Sequence, residues 1–249
     1  ELKNVVIDGV TFTGKGGYDP QGYGNAINLS GSNIKVDGLT LKNCVLNNDE
    51  NNARLLYKTE STTHVHTYAY NGETYTFTPS LKNITIPDTV TEVRESSFYG
   101  CTSLESIVIP EGVMDIRGAF ADCTSLTKVS IPSSVYKMTS AFKNCTALTE
   151  VVVPKGITEL DYAFEGCTSL TDVTIPDGVE DISYAFNGCT SLRQITLPAG
   201  IWTWMYAFKD CTSLTEIIVP DGIPDLSSAI DGCTALEHIT ISGHVGTIG

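Results

Sequence analysis

Few side chains in this sequence have catalytic or metal-binding chemistry. His64 and His66 lie two residues apart, so they share one face of a strand, a geometry that suits a metal ion. The sequence places no third nitrogen, thiolate or carboxylate beside them, and we expect no metal and no cofactor. Asp8 and Asp37 are carboxylates of the kind that pair in acid–base catalysis, but each precedes a glycine, where Asp typically accepts hydrogen bonds within a turn. With no nucleophile or phosphate-binding motif either, the sequence predicts no enzyme.

Cysteine is the most regularly spaced reactive residue. Seven of the eight cysteines recur every 22 residues, and each opens the phrase Cys-Thr-Ser/Ala-Leu. They are Cys101, Cys123, Cys145, Cys167, Cys189, Cys211 and Cys233. Equivalent positions of stacked coils lie about 5 Å apart, so distance alone permits disulfides. Seven members of one ladder cannot all pair, however, and we expect buried free thiols that act as small hydrophobic residues and leave the redox compartment open.

Aromatic residues form a second periodic pattern, one with ligand-binding chemistry. Tyr162, Tyr184 and Tyr206 occupy one repeat position, two residues before a phenylalanine, while Tyr136 and Trp202 share a nearby position. A ladder of such rings on consecutive coils can stack against sugar rings or anchor a protein. It can equally form by packing between neighbouring coils. These five residues are therefore the candidate ligand-binding residues, with packing as the alternative.

The elements that position these residues follow the same period. A phenylalanine precedes each cysteine by three residues from Phe98 to Phe208, with Ile230 in the last copy, and a proline recurs from Pro110 to Pro220. In each copy a short apolar strand ends at the proline and a turn follows. A second apolar segment then leads through one helical or 3₁₀ turn to the next cysteine. A fixed period of this length predicts a solenoid, whose coils bury their apolar faces only against each other.

Two columns of side chains are predicted to point outwards from the strands. The first varies freely, which is typical of a solvated or ligand-tuned face, and the second is mostly small or β-branched, as on any sheet surface. The first contains Ser106, Lys128, Glu150, Asp172, Gln194, Glu216 and His238, and the second contains Val108, Ser130, Val152, Thr174, Thr196, Ile218 and Thr240.

The recurring phrase Ile-x-Ile-Pro-Asp/Glu-Gly-Val-x-x-Ile, followed by Ala-Phe-x-x-Cys-Thr-Ser-Leu, resembles the BspA-type leucine-rich repeat over residues 81–249. The resemblance implies a β-rich repeat solenoid of the leucine-rich repeat class. It also implies a secreted or surface protein, mostly of bacteria, that binds host or partner macromolecules and does not catalyse a reaction. The sequence departs from the family mainly in its 22-residue period.

Residues 1–60 carry a different, looser repeat. Residues 4–12 and 33–41 align at an offset of 29, each with alternating apolar residues around an Asp-Gly pair. This pattern resembles the right-handed parallel β-helix of the pectate-lyase type. We expect two or three β-helix-like coils here that cap the end of the repeats.

Residues 61–80 contain the clearest hairpin signal. Asn-Gly at residues 71–72, between two alternating strands, is typical of a type I′ turn. A two-residue turn would place Tyr68 opposite Tyr75 and His66 opposite Phe77, which gives the hairpin one aromatic face. An isolated hairpin is marginal in water, so this face either packs on the solenoid or contacts a partner. His66, Tyr68, Tyr75 and Phe77 are therefore candidate partner contacts.

Charge and hydropathy exclude several classes of partner. The net charge of −14 argues against nucleic acid and against an anionic membrane surface, because both need clustered Lys and Arg. No apolar run approaches the ~20 residues of a membrane span. The chain begins without Met and stops within a repeat, so we expect any signal or anchor to lie outside it.

The sequence thus predicts a non-catalytic binding or adhesion protein, extracellular or on a cell surface, that contacts a protein or glycan partner along the solenoid. Two alternatives stay open. One is a glycan-binding or polysaccharide-active β-helix with the repeats as a targeting module, and the other is a structural fibre or spacer of a phage or cell appendage. The sequence does not indicate the ligand or the oligomeric state.

Overall fold

The computed structural model describes residues 97–223, 228–244 and 246 in full, residues 82, 84, 86, 88, 90 and 93, and the backbone of the strands from Leu2 to Thr85. From residue 97 onwards short strands alternate with turns. In chain order the strands are β1 (Leu2–Asp8), β2 (Thr11–Gly14), β3 (Gly24–Asn28), β4 (Val36–Lys42), β5 (Val45–Asn48), β6 (Ala53–Tyr57), β7 (His66–Tyr70), β8 (Glu73–Phe77), β9 (Asn83–Thr85), β10 (Ser106–Val108), β11 (Lys128–Ser130), β12 (Glu150–Val152), β13 (Asp172–Thr174), β14 (Glu216–Val219) and β15 (His238–Ile241).

Parallel pairing of successive strands builds the solenoid. One five-stranded sheet has the order β1-β4-β9-β10-β11, and β12-β13 and β14-β15 form two-stranded sheets farther along. Ser106 pairs with Lys128, and Glu150 with Asp172, so partners lie one 22-residue repeat apart. Equivalent positions of successive coils therefore lie side by side, and the solenoid predicted from the period is confirmed.

The apolar positions of each repeat form one continuous core. The leucine, valine, isoleucine, alanine and phenylalanine positions predicted to face inward are buried in most of the described coils. The rings of Phe98, Phe120, Phe142, Phe164, Phe186 and Phe208 stack at 5.2–5.9 Å between centroids. Burial of one such side chain stabilises the fold by about 1.5–3 kcal/mol, so this phenylalanine stack is a main source of cohesion between coils.

The cysteines from Cys101 to Cys233 are free thiols, as predicted; all are buried except Cys233, which is half-buried. Each thiol from Cys123 onwards donates a hydrogen bond of 3.1–3.2 Å to a phenylalanine carbonyl oxygen in an adjacent coil. Burial raises the pKa of Cys145, Cys167 and Cys189 well above the usual value and that of Cys233 to about 11. Cys44 lies outside the described residues.

Left-handed residues shape the bend that precedes each cysteine. In one coil Tyr184 has a φ of 54° and Gly188 a φ of 74°. The N–H of Cys189 donates to the carbonyl oxygen of Phe186, which closes a turn at the predicted Phe-x-x-Cys spacing, but the positive φ of Gly188 inside it makes this a β-turn and not the predicted helical or 3₁₀ turn. Because a helix does not continue through positive φ, this turn stays isolated and holds the aromatic side chain inward.

The N-terminal strands pair in a register that differs in part from the sequence alignment. β3 pairs with β6 at the predicted offset, through Gly24 and Ala53. β1 pairs with β4 through Lys3 and Asp37, and through Asp8 and Lys42. The prediction that Asp37 lies in a turn is wrong: it lies within β4, because the β-branched and apolar residues around it keep the chain extended. The β-helix resemblance and the boundaries 1–60, 61–80 and 81–249 stay predictions.

The antiparallel pair β7–β8 forms the predicted hairpin. His66 lies opposite Phe77 and Tyr68 opposite Tyr75, the register that a two-residue turn requires. The side chains of this hairpin, and His64, lie outside the described residues, so their contact with a partner stays a prediction. β9 pairs with β4 on one side and β10 on the other, so the parallel sheet continues past the hairpin.

Candidate functional site

Three tyrosines stack along one edge of the solenoid. The rings of Tyr162 and Tyr184 are nearly parallel, with centroids 4.7 Å apart, and those of Tyr184 and Tyr206 are tilted, with centroids 5.1 Å apart. All three side chains are half-buried. The predicted spacing is confirmed. Because the ring faces contact each other, this tyrosine stack presents ring edges and phenol hydroxyls to its surroundings rather than open faces.

A lysine lies over the ring of each of the two outer tyrosines. The Nζ atoms of Lys143 and Lys209 lie 5.4 Å from the ring centres of Tyr162 and Tyr206, respectively. Such a contact contributes about 0.5–1 kcal/mol at an exposed site. Lys143 also forms an ion pair of 2.6 Å with Glu165. Sequence reasoning missed both lysines, although each directly follows the phenylalanine of its coil.

The backbone at the tyrosine position is left-handed. Tyr162, Tyr184 and Tyr206 have φ values of 53–54°, and Gly118 and Ser140 at the same repeat position have 57° and 55°. The scaffold therefore imposes this conformation on the position whatever residue occupies it. A bulky side chain in this region costs roughly 1–2 kcal/mol, about as much as an aromatic stacking contact returns. Stability alone therefore gives little reason for tyrosine here.

The central phenol of the stack, that of Tyr184, has a raised pKa. Desolvation raises the pKa of Tyr184, and the phenols of Tyr162 and Tyr206 on either side raise it further. A raised pKa favours the protonated hydroxyl, which both donates and accepts a hydrogen bond. At neutral pH the middle of the tyrosine stack is an uncharged hydrogen-bonding surface.

Tyr136 and Trp202 do not join the tyrosine stack. Their side chains are 48% and 64% exposed, and within residues 97–223 neither ring stacks on another aromatic ring. Thr158 and Glu180 occupy the coils between them, which places the two aromatic residues three coils, about 14 Å, apart. The structure thus brings together three of the five candidate residues and leaves two as separate exposed rings.

The outward face of the strands carries three shallow grooves that the sequence did not predict. Their volumes are 290, 330 and 480 Å³, and they follow each other from β10 to β14. Val108, Val152 and Ile218 on this face are 67%, 70% and 49% exposed. The two larger grooves coincide with breaks in the sheet, after β11 and after β13. The repeat gives no signal for these breaks, because the apolar alternation continues through them.

Asp8 and Asp37, the candidate catalytic carboxylates, do not lie next to each other in the structure. Asp8 is level with Lys42 and Asp37 with Lys3 in the backbone register, so the two residues lie five positions apart along the paired strands, about 16 Å. Among the residues described with side chains, no group of three His, Cys, Asp or Glu is placed to hold a metal ion. Over the same residues, no helix has the length and apolarity to cross a membrane.

The repeat sequence decides the family. The family model described as the BspA type leucine-rich repeat region matches over residues 69–184 and 161–249, in six copies. The chain belongs to the BspA-type leucine-rich repeat family. In this BspA-type chain the buried Phe and Cys positions that define the repeat are those that form the stacks described above. No curated protein matches the sequence.

Solved structures of bacterial leucine-rich repeat proteins resemble this BspA-type chain. One from Eubacterium ventriosum ATCC 27560 has a TM-score of 0.56 at 18% identity, covering 86% of this chain and 74% of that one, which supports the shared fold. A leucine-rich repeat protein of T. pallidum has a TM-score of 0.45 at 22% identity, with 76% and 85% covered. A leucine-rich cell surface protein of Faecalibacterium prausnitzii A2-165 has a TM-score of 0.36 at 18% identity, with 91% and 92% covered.

Proposed function

We propose that this protein is a non-catalytic binding protein, outside a bacterial cell or on its surface, that holds a protein or glycan partner along the solenoid. Membership of the BspA-type family supports the proposed location at or outside the cell surface and the absence of catalysis. A repeat scaffold also suits binding, since it presents equivalent positions at a fixed spacing over a long surface. Contacts that are weak on each coil then add up to a stable complex.

The tyrosine stack is the observation that carries this proposal. Three consecutive coils place tyrosine where the backbone is left-handed, although the same scaffold accepts Gly118 and Ser140 there. The stacking contacts only offset the backbone strain at this position, so tyrosine brings little net stability there, which points to a functional role. Tyrosine gives a large rigid contact with a polar tip, which suits both sugar hydroxyls and protein surfaces. Tyr162, Tyr184 and Tyr206 are the proposed main contacts, with Tyr136 and Trp202 as separate exposed contacts.

A glycan array and a panel of purified extracellular proteins would test the proposal with the labelled chain. Every ligand found is measured again with a variant in which Tyr162, Tyr184 and Tyr206 are all replaced by serine, the residue that the scaffold has at Ser140. We expect at least about a tenfold loss of affinity at an unchanged fold, since anchoring aromatic residues dominate such contacts. The matched control is Met114→Ser, an exposed apolar residue away from the stack.

Two results would contradict the proposal. If the triple variant binds as the wild type does, the tyrosines serve packing only. If the intact chain binds nothing in either screen, the spacer interpretation replaces it. Hydrolysis of a polysaccharide on the array would instead support the polysaccharide-active alternative.

A further inference from the structure

The largest of these three grooves lies where the sheet is interrupted between β13 and residues 194–196. We call this groove of 480 Å³ the seam. Its polar lining residues are Asp172, Thr174, Asp177, Gln194, Thr196 and Glu216. Within residues 97–223, β13 pairs with β12 on one side, whereas residues 194–196 bridge only to the following coil, through Thr196 and Ile218.

The break leaves backbone groups of β13 without a partner strand. The N–H of Asp172 donates to Thr149, and the carbonyl oxygen of Thr174 accepts from Val153, both in the preceding coil. Because successive residues of a parallel strand direct their backbone groups alternately to the two sides, Val173 directs its N–H and C=O to the seam. Val173 is only 8% exposed, and within the fully described residues no backbone hydrogen bond joins it to the next coil. Backbone groups that face a groove without a partner strand are open to hydrogen bonds from a ligand that lies there.

The seam is acidic. Asp172, Asp177 and Glu216 line it, and its lining includes no lysine or arginine; the adjacent Arg193 is not part of it. The whole chain carries a net charge of −14, which attracts cations over a longer range. The donors of a lysine or arginine side chain match both the carboxylates and a free backbone carbonyl oxygen.

The width of the seam restricts what can enter it. In the core below the break, the stacked rings of Phe186 and Phe208 keep their coils 5.6 Å apart. A whole strand needs about 4.7–4.9 Å on each of its two sides, so no strand can insert between these coils. The groove of 480 Å³ has room for a single long side chain from the surface, and the exposed Ile218 beside it offers a contact to a segment that would carry this side chain.

We propose that the seam binds an extended segment of a partner protein through a lysine or arginine side chain that enters the groove. The inference rests on the proposed function only in that the partner is a macromolecule, because the seam is separate from the tyrosine stack. It names the chemistry of the partner on this face: a basic protein segment rather than a glycan.

A labelled peptide in which lysine alternates with serine is the probe, and fluorescence anisotropy gives its dissociation constant with the intact chain. The seam variant combines Asp172→Asn with Glu216→Gln. The matched control combines Glu159→Gln with Glu180→Gln, which removes the same charge from exposed positions outside the groove. A third variant, Thr196→Lys, places an ammonium group of the chain itself in the seam. Circular dichroism checks that each variant stays folded.

We expect the seam variant and Thr196→Lys to weaken binding about tenfold and the control pair to weaken it less than about twofold. The same peptide with glutamate for lysine should not bind, and the triple tyrosine variant should bind the lysine peptide as the wild type does. Equal weakening by the seam and control pairs, or no binding by the wild type, overturns the inference. Such a result leaves the proposed function standing if the screened ligands still depend on the tyrosines, so the two failures are distinguishable.

Discussion

The thiol of Cys167 donates a hydrogen bond to the carbonyl oxygen of Phe142 in the preceding coil, with 3.1 Å between sulfur and oxygen. The same oxygen accepts the N–H of Cys145, which closes the turn of its own coil. One carbonyl group thus receives a hydrogen bond from within its coil and another from the next coil. This double acceptance, repeated along the ladder, explains why the position takes a small side chain that still carries a donor.

Replacing Cys167 by alanine should destabilise the protein by about 1–2 kcal/mol, because the variant loses the bond to Phe142 and leaves a small cavity. The matched control is Cys233→Ala at the end of the ladder, where the side chain is only half-buried and the loss should be smaller. Urea unfolding followed by circular dichroism measures both. Equal losses at the two positions would contradict the role assigned to burial.

The buried thiols should also make stability fall at alkaline pH. Above about pH 8.5 the thiols of the unfolded chain ionise, whereas burial raises the pKa of Cys145, Cys167 and Cys189 and keeps them protonated in the folded state. The unfolded state then binds fewer protons, so stability decreases with rising pH, by at most about 1.4 kcal/mol per pH unit for each thiol. Below that pH the thiols contribute no dependence.

Urea unfolding at a series of pH values from neutral to strongly alkaline measures this slope. In the Cys189→Ala variant the free energy of unfolding should fall less steeply with alkaline pH, because one ionising thiol is missing. A slope that is identical in the variant and the wild type would show that the alkaline loss comes from other groups.

Cys233 should be the first thiol of the ladder to react in the native protein. It is half-buried and its pKa is raised only to about 11, whereas the thiols before it are buried. A thiol reagent should modify Cys233 slowly under native conditions and the rest of the ladder only after unfolding, because the thiolate is the reacting form. Mass spectrometry of partly modified protein identifies the site. Modification of Cys167 before Cys233 would contradict the order.

The period made the phenylalanine stack and the thiol ladder predictable. Phenylalanine recurs at one interval from Phe98 to Phe208 and cysteine from Cys101 to Cys233, and equivalent residues of a solenoid stack on each other. The left-handed backbone at Tyr162 had a weaker signal: Gly118 stands at the same position, and glycine tolerates positive φ. The lysine contacts depend on how far Lys143 reaches into the next coil, which no period encodes. The seam depends on which backbone hydrogen bonds form between two coils, and the residues on both sides of it keep the ordinary repeat pattern.

Two glycines of one column should respond differently to substitution. Gly166 and Gly188 have φ values of 73° and 74°, but an added Cβ would meet the side-chain oxygen of Asn144 at Gly166, whereas at Gly188 its nearest neighbours lie 3.8 Å away. Gly188→Ala should therefore lower the free energy of unfolding by about 1 kcal/mol, the cost of placing a Cβ at a positive φ. Gly166→Ala should lower it clearly more, because the added Cβ also meets Asn144. Thermal unfolding of the two variants makes the comparison. Gly188→Asn should be nearly neutral, since Asn144 already adopts a φ of 58° at that position.

Replacing Tyr162 by asparagine should change stability little while it weakens ligand binding. The variant loses the ring contact with Tyr184 at 4.7 Å and the contact with Lys143, but asparagine tolerates the left-handed φ of 54° far better than tyrosine does. The stacking loss of about 0.5–1.5 kcal/mol and the relieved backbone strain of similar size oppose each other. Thermal unfolding should therefore place the variant within a few degrees of the wild type. The control Phe164→Asn removes a fully buried ring at a position that is not left-handed, and it should unfold the coil. If Tyr162→Asn were as damaging as that control, the tyrosine would be part of the core, and the strain argument for its role in binding would fail.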